Sequence, residues 1–291
     1  MKIIVAKSAG FCWGVKRAVN MAIAAAKENR TVYSLGELIH NPQETKRLET
    51  FGIKKVKSID EIPKKSTVII RSHGVPPEII KKLKAKQTFI VDATCPFVKA
   101  IQEKAVSLEK EGYPVCILGN SSHPEVRGIA GHVKKPLIIE KEKDILSLSQ
   151  LQKLGIVCQT TLNGEFLSKT VALLSKETKE LKIFNTICKA TKVRQEETKK
   201  LSKSVDTMLI IGGRNSSNTT KLFNISKHLN PKSYHIESAK ELKIDWLKNI
   251  ETIGITAGAS TPQWVIEEVV RKVQTIFEGG ETVERGFCKT T

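Results

Sequence analysis

The sequence predicts an α/β fold built from three related units, each with a short and mostly parallel sheet. Three observations lead to this prediction. An apolar run followed by a cysteine and a helix occurs three times along the chain. A polar residue recurs at the same distance from each cysteine, and a further apolar strand ends each unit at a small or polar tip.

The cysteine segments share the form C-x-x-[VT]-K. They are AGFCWGVKRA (residues 9–18), DATCPFVKAI (92–101) and NTICKATKVR (185–194). Each follows an apolar run that predicts a strand, namely residues 3–5, 89–91 and 181–184. Apolar residues at helical spacing predict an amphipathic helix after the first and second cysteines, and a more weakly patterned helix after the third.

A second strand follows each helix. These strands end in TVYSLGELIH (31–40), PVCILGNSSH (114–123) and TMLIIGGRNSS (207–217). His40, His123 and Ser216 lie at one common interval, 28 residues beyond the preceding cysteine (12 to 40, 95 to 123 and 188 to 216). Three equal intervals predict an internal three-fold repeat.

A third strand closes each unit, ending in TVIIRSHG (67–74), LGIVCQTT (154–161) and TIGITAGAS (252–260). Lys- and Glu-rich helical stretches between the strands have the length of βαβ crossovers. The predicted units are residues 1–95, 96–187 and 188–280, with a tail at 281–291. Since ligands lie beyond the carboxyl ends of parallel strands, three such edges facing one centre would form a pseudo-three-fold, trefoil-like arrangement.

Charge and hydropathy narrow the class of protein. The 291 residues carry a net charge of +18, which predicts attraction to anions. Aromatic residues make up only 5% and no nucleic-acid-binding motif occurs, so nucleic acid is not the expected partner. The start, MKIIVAKSAG, is typical of a buried strand and lacks a signal peptide's apolar region, so we expect a soluble, cytoplasmic protein with no membrane partner.

Three of the six cysteines, Cys12, Cys95 and Cys188, occupy matching repeat positions. Each is predicted to lie at a helix start, where the positive end of the helix dipole favours thiolate. Three thiolates leave one position open on a catalytic zinc ion, or one open iron on a 4Fe–4S cluster. The pattern slightly favours the cluster, because three thiolates without a nearby histidine are an uncommon zinc set. The other cysteines have no repeat counterparts: Cys116 and Cys158 are expected in the core, and Cys288 to be uninvolved.

Polar residues at the strand tips are expected to surround this centre. They are His40, His73, His123, Thr160, Thr161, Ser216, Ser217, Asn218 and Ser260. Hydroxyl, amide and imidazole donors in glycine-containing loops suit the oxygens of a phosphate. Glu125, in SSHPE, would place a carboxyl among neutral donors and is a natural proton source.

Nine motifs spread over residues 1–280 carry a family resemblance: GFCWGVKRA, GELIHNPQE, RSHGVPP, DATCPFV, SSHPEV, QTT, TICKATKVRQ, RNSSNT and TAGAS. In them the chain resembles the 4-hydroxy-3-methylbut-2-enyl diphosphate reductases, the LytB or IspH family. The resemblance implies three α/β lobes around a central 4Fe–4S cluster, held by Cys12, Cys95 and Cys188 with one open iron. It also implies the last step of the non-mevalonate isoprenoid pathway, in which an allylic hydroxyl leaves as water and isopentenyl and dimethylallyl diphosphate form.

The resemblance further implies residue roles. The residues expected to hold the diphosphate are His40, His73, His123, Ser216, Ser217, Asn218 and Ser260. Glu125 would donate a proton with His123 beside it, and Thr160 would orient the substrate hydroxyl. Electrons would come from a ferredoxin or flavodoxin. Trp13 stands at a position expected to vary, where it could change a carrier-facing or a pocket-facing surface.

Two alternatives remain at this point. One is a zinc-dependent hydrolase or lyase that uses the same three thiolates on a phosphorylated substrate. The other is a basic nucleic-acid-binding module with redox-sensing cysteines.

Overall fold

The computed structural model describes residues 2–29, 31–148, 151–276 and 283–285. Its strands are β1 (Lys2–Val5), β2 (Val32–Leu35), β3 (Ile53–Val56), β4 (Thr67–Ile70), β5 (Phe89–Asp92), β6 (Val115–Leu118), β7 (Leu137–Ile139), β8 (Lys153–Cys158), β9 (Glu180–Phe184), β10 (Thr207–Ile211), β11 (Ser233–Ile236), β12 (Thr252–Ala257) and β13 (Val283–Arg285). Cys288 and all of the predicted tail except β13 lie outside the described residues.

Nine α-helices occur in the described part of the chain. They are α1 (Trp13–Asn29), α2 (Pro42–Thr50), α3 (Pro77–Ala85), α4 (Pro96–Lys110), α5 (Pro124–Ala130), α6 (Gly164–Leu174), α7 (Lys189–Ser202), α8 (Ser217–Leu229) and α9 (Gln263–Ile276). Short 3-10 helices occupy Ile59–Glu61, Glu142–Leu148, Ala239–Glu241 and Ile244–Leu247. Among the described residues, no helix combines the length and the apolar character needed to cross a bilayer.

The strands form three parallel sheets, which confirms the predicted α/β class. Their orders are β3-β2-β4-β5, β7-β6-β8-β9 and β11-β10-β12-β1-β13. The first four strands of each order follow one pattern, since β2, β6 and β10 correspond, as do β4, β8 and β12. The three-fold repeat seen in the sequence is therefore a repeat of sheet topology.

One sheet, the five-stranded one, crosses the boundaries of the predicted units. Strand β1 lies in the first predicted unit but pairs with β12 of the third, from Lys2 opposite Thr252 to Val5 opposite Ile255. The two four-stranded sheets stay inside the predicted units, since β2 to β5 lie within residues 1–95 and β6 to β9 within residues 96–187. The strand before each cysteine (β1, β5 or β9) is the fourth strand of its sheet, and among the described strands β1 alone of these three pairs outside its predicted unit.

Two compact units emerge from the internal contacts of the chain. A split unit comprises residues 1–16, 39–46 and 189–291 and holds the five-stranded sheet. A central unit comprises residues 17–38 and 47–188 and holds both four-stranded sheets.

The core of the split unit shows why these residues form strands. Leu209 and Ile211 of β10 pack with Val265 and Val269 of α9 in one buried cluster. The alternate residue Ile210 packs with Leu201 of α7 and Leu222 of α8 in another. Successive strand residues face opposite sides of a sheet, so a strand covered by helices on both sides is apolar throughout, as β10 is.

Four short strands in the described part of the chain were not predicted from sequence, namely β3, β7, β11 and β13. Each lies at a sheet edge and has only three or four residues. Strand β3 exposes Lys54 and Lys55 between its two buried ends. Lysines on a short edge strand discourage pairing with other chains, but they also remove the apolar signal by which such a strand is recognised.

Candidate functional site

Each of the three predicted ligand cysteines lies directly before a helix. Cys12 precedes α1, Cys95 is the N-cap residue of α4, and Cys188 precedes α7. All three are partly exposed, and no disulfide joins any of the five cysteines that the structure describes. The predicted strand–cysteine–helix order is therefore confirmed in all three repeats.

The two other described cysteines are different. Cys116 in β6 and Cys158 in β8 are fully buried in one apolar cluster, which confirms their expected place in the core. Burial raises the pKa of the Cys116 thiol far above its ordinary value, and the neighbouring Cys158 adds to the effect. A thiol that stays protonated is a poor metal ligand. Solvent accessibility therefore divides the described cysteines as the repeats do, into three candidate ligands and two core residues.

In the split unit, helix α7 holds the loop that leads to Cys12. The Arg194 guanidinium donates to the Gly10 carbonyl at 2.7 Å. One turn further on, the Glu197 carboxylate accepts from the backbone amides of Lys7 and Ser8 at 2.7 and 2.9 Å. Gly10 has φ of 100° and a Cβ there would contact Ile266 at 3.3 Å, so the loop needs glycine at this point.

Arg194 and Glu197 were not predicted from the sequence as functional residues. Both are more than nine-tenths buried, on a helix whose buried face is otherwise mostly Thr, Gln and Ser. This polar face explains the weak apolar periodicity of the third repeat helix. The available signal was the missing apolar stripe. If a helix without such a stripe is buried, its inward polar side chains must form hydrogen bonds with neighbouring segments.

Also in the split unit, His40, Ser216 and Ser260 come together at the strand tips. Ser260 Oγ donates to the His40 carbonyl at 3.0 Å and lies within hydrogen-bond distance of Ser216 Oγ, at 3.3 Å. Ser216 is the N-cap of α8 and accepts from the Thr219 amide at 3.4 Å. A Cβ on Gly213 would stand 2.7 Å from the His40 carbonyl oxygen, so only glycine lets the two loops approach.

Asn218 lies in the first turn of α8 beside this group, and Ser217 is the first residue of the same helix. The Asn218 side chain is only 4% exposed, yet neither its amide oxygen nor its amide nitrogen has a hydrogen-bond partner within the described residues. A buried polar group without a partner costs about 1–3 kcal/mol. Such a group at a helix N-terminus, where anions are favoured, is suited to a ligand that supplies the missing partners.

In the central unit, Glu125 is held by Thr160. The carboxyl is 3% exposed, and it accepts from the Thr160 amide at 2.6 Å and from Thr160 Oγ1 at 2.7 Å. The Thr160 carbonyl in turn accepts from the Cys188 amide at 3.0 Å. Thr160 therefore links Glu125 to a predicted ligand cysteine. It donates to the Glu125 carboxylate and accepts from the Cys188 amide.

Two histidines lie beside this carboxyl. His123 is the N-cap of α5, and its Nδ1 accepts from the Glu125 amide at 3.2 Å. The His73 ring meets the His123 ring edge-on, with 5.4 Å between centroids. The residue before His73, Ser72, accepts from the Cys95 amide at 3.0 Å through its carbonyl. The central unit therefore assembles both histidines, Glu125, Thr160 and two cysteines.

A further cation in the central unit was not predicted. Arg71, two residues before His73, is largely buried, and its Nε has no partner within the part of the chain described. Burial lowers the pKa of the Arg71 guanidinium, and the nearby Arg127 lowers it further, against an opposing effect of Glu37. Two neighbouring guanidinium groups make the strand tip that carries His73 favourable for an anion.

The chain was compared with known proteins. The family model of the LytB protein matches residues 3–274. The chain belongs to the LytB family.

Two of its LytB relatives carry the name of an enzyme. A 4-hydroxy-3-methylbut-2-enyl diphosphate reductase of Aquifex aeolicus is 48% identical over 282 residues, which cover 95% of this chain and 97% of the relative. A protein of the same name from Geobacter sp. strain M21 is 44% identical over 277 residues, covering 95% and 98%. The LytB identity therefore extends over nearly the whole chain.

Solved structures agree. One, described as the terminal enzyme of the non-mevalonate pathway, has 47% identity and a TM-score of 0.71, and the match covers 94% of this chain and all of that one. The E-1-hydroxy-2-methyl-but-2-enyl-4-diphosphate reductase of Plasmodium falciparum has 26% identity and a TM-score of 0.91, covering 99% and 93%. The sequence-based resemblance to this family is confirmed.

Proposed function

We propose that this LytB chain reduces 4-hydroxy-3-methylbut-2-enyl diphosphate to isopentenyl and dimethylallyl diphosphate, the last step of the non-mevalonate pathway. The observation that carries the proposal is the buried Glu125 carboxyl. It is fixed by hydrogen bonds from Thr160, whose carbonyl accepts from the Cys188 amide. The names of the LytB relatives and of the similar structures support the substrate.

The chain's own donors fit a 4Fe–4S cluster held by Cys12, Cys95 and Cys188. These are the three partly exposed thiols at helix starts, and the two other described cysteines are closed off in the core. When bound with three thiolates, such a cluster supplies single electrons and one iron open to an alcohol oxygen. A zinc ion on the same thiolates remains the second candidate, because three sulfur donors with one open position also suit it.

The reaction takes up two electrons and two protons, breaks the allylic C–O bond and releases water. Charge develops on the departing oxygen, and Glu125 relieves it by giving up a proton. Thr160 fixes the carboxyl through two donors and is placed to orient the substrate hydroxyl. The histidine imidazole next to Glu125 at the α5 N-cap, His123, completes this acid–base group.

We assign the diphosphate to hydroxyl, amide and imidazole donors. They are His40, His73, His123, Ser216, Ser217, Asn218 and Ser260. The partnerless amide of Asn218 supports this assignment, because phosphate oxygens would accept from its nitrogen. A fixed diphosphate would hold the reacting carbon in one place and so reduce the entropy cost of the step.

The electron donor in this proposal is a ferredoxin or flavodoxin of the cytoplasm. The net charge of +18 supports an acidic protein donor, because opposite charge speeds encounter.

Anaerobic purification tests the proposal. We expect a brown protein with about four irons and four sulfides per chain, and turnover of the allylic diphosphate with reduced methyl viologen as donor. A colourless protein with about one zinc per chain and no viologen-driven turnover would assign the thiolates to the zinc alternative.

A further inference from the structure

The surface around Cys12 is both apolar and basic. We define the Cys12 patch as Trp13, Lys16, Lys189, Lys192 and Val193, all exposed and all in the split unit. Trp13 directly follows Cys12 and is 62% exposed, and Val193 is 46% exposed. A large aromatic side chain in water next to a predicted cluster ligand has no role in the fold or in the proposed proton transfer.

Helix geometry places these side chains on two outward faces. Trp13 and Lys16 are three residues apart in the first turn of α1, and residues at that spacing are neighbours on a helix surface. Lys189, Lys192 and Val193 have the same relation, at i, i+3 and i+4, in the first turns of α7. Thr191, Arg194 and Thr198 form the opposite, buried face of that helix.

The two faces belong to neighbouring segments. The Arg194 side chain joins α7 to the Gly10 carbonyl, two residues before Cys12. The loop entering α1 and the first turns of α7 are therefore tied together by a buried hydrogen bond, with their exposed faces turned to solvent.

The patch also carries uncompensated positive charge. None of its three lysines forms an ion pair within the described residues. The nearest acid along the same face of α7, Glu196, is already paired with Lys199 at 3.2 Å. Exposed aromatic and aliphatic groups ringed by like charges are the composition of a protein-binding surface with an oppositely charged partner.

We propose that the Cys12 patch is the docking surface for an acidic one-electron carrier protein, with Trp13 as its apolar contact. The assignment rests on the proposed reductase function, because that reaction needs electrons delivered from outside the chain. Electron tunnelling falls off steeply with distance, so a carrier has to dock beside a cluster ligand. The Cys12 patch begins at the residue after such a ligand.

The test compares three electron donors, two proteins and one small dye, on the same variants. Trp13→Ala, Lys16→Glu and Lys192→Glu are assayed with a reduced acidic ferredoxin, with a reduced acidic flavodoxin and with reduced methyl viologen. We expect each variant to raise the KM for the protein carriers about tenfold, as truncating a central interface residue does. Viologen-driven turnover should stay within about twofold, because a small dye needs no docking surface.

The matched controls are Ile244→Ala and Lys243→Glu. Ile244 is 61% exposed, nearly the same as Trp13, and Lys243 is an exposed neighbour in the same unit. Their segment lies by the start of β10, where Thr207 donates to the Trp246 carbonyl, at the edge away from the cysteine loop. We expect no change with any donor. Wild-type KM for ferredoxin should rise with salt, and less so in Lys16→Glu.

Several outcomes would overturn the docking assignment. Unchanged carrier KM in all three patch variants, or equal changes in the controls, would place the docking surface elsewhere. Loss of viologen-driven turnover in Trp13→Ala alone would move Trp13 into the substrate or cluster site. Wild-type enzyme that works with viologen but with neither carrier would exclude this class of partner. Wild-type enzyme inactive with every donor would instead contradict the proposed function.

Discussion

The group formed by Ser216, Asn218 and Ser260 in the split unit and the Glu125–Thr160 pair in the central unit differ in how far their side chains are hydrogen-bonded. In the split-unit group, Ser216 and Ser260 bond to each other, while the buried Asn218 amide beside them has no partner among the described residues. In the central unit, both oxygens of Glu125 accept hydrogen bonds from Thr160.

This difference indicates two functional roles, ligand binding and proton transfer. A group left without partners pays for its burial until a ligand arrives, which suits binding. A carboxyl held by fixed donors keeps one position and one orientation, which suits proton transfer. We therefore expect substitutions in the split-unit group to act on substrate affinity, and those around Glu125 to act on turnover.

The largest effect should come from Glu125→Gln. The amide keeps the size of the side chain but cannot supply the proton, so we expect kcat to fall by about 10²–10⁴-fold with KM little changed. The control is Glu165→Gln. Glu165 also lies two residues after an N-cap, with its amide donating to Asn163 Oδ1, but it is exposed. Near-normal turnover of Glu125→Gln would contradict the proton-donor role.

The next largest effect should come from Asn218→Ala. Loss of bonds to a charged ligand is worth about 1.5–3 kcal/mol, so we expect the Kd of the substrate to rise by about 10–100-fold. The melting temperature should be unchanged or higher, because a partnerless buried amide is removed. Calorimetric titration and thermal unfolding measure the two effects.

Asn230, the C-cap of the same helix, gives the contrasting control. Its amide nitrogen donates to two backbone carbonyls, and its oxygen accepts from the Lys232 amide. Asn230→Ala should cost about 1–3 kcal/mol of stability and leave substrate affinity unchanged. If Asn218→Ala behaved like Asn230→Ala, its amide would be a structural group and the comparison between the two units would fail.

A smaller effect is expected at Thr160. Thr160→Val removes the Oγ1 bond to Glu125 but keeps the backbone bond, and a bond to a charged group is worth about 1.5–3 kcal/mol. We expect kcat to fall by about tenfold, and Thr160→Ser to recover most of it. A Thr160→Val enzyme with normal kcat and raised KM would shift Thr160 from the turnover group to the binding group.

The smallest effect on activity should come from Cys158→Ala. This thiol is fully buried in the core, so its loss should leave iron content and kcat unchanged and cost about 1 kcal/mol of stability. Cys12→Ser, measured beside it, should lose most of the iron. Equal iron loss in both variants would show that accessibility does not distinguish ligand from core cysteines.

Much of this architecture was predictable, because repeats and apolar runs are written directly in the sequence. The strands before and after each cysteine, the helix starts at Cys12, Cys95 and Cys188, and the strand tips carrying the histidines all follow from that pattern. The pairing of β1 with β12 was not predictable, because nothing local in KIIV specifies which parallel neighbour it takes. Parallel partners are chosen through long-range packing.

The polar contacts were harder to predict for another reason. Arg194 and Glu197 look like solvent-facing residues of a charged helix, and only the fold shows that they are buried against residues 7–10. Asn218 was predicted from its motif, but its missing partners are a property of the folded chain. The sequence indicated which residue types form the site. The structure shows which of these side chains have hydrogen-bond partners.

The pairing of β1 with β12 also sets an order of events during synthesis. The central unit is complete once residue 188 has been made, and domains fold as units while the chain emerges. Residues 1–16 must wait, because their sheet partners are translated more than 200 residues later. Cys12 therefore reaches its final loop only after β12 has been made, so a metal centre that includes Cys12 has to be assembled after that point.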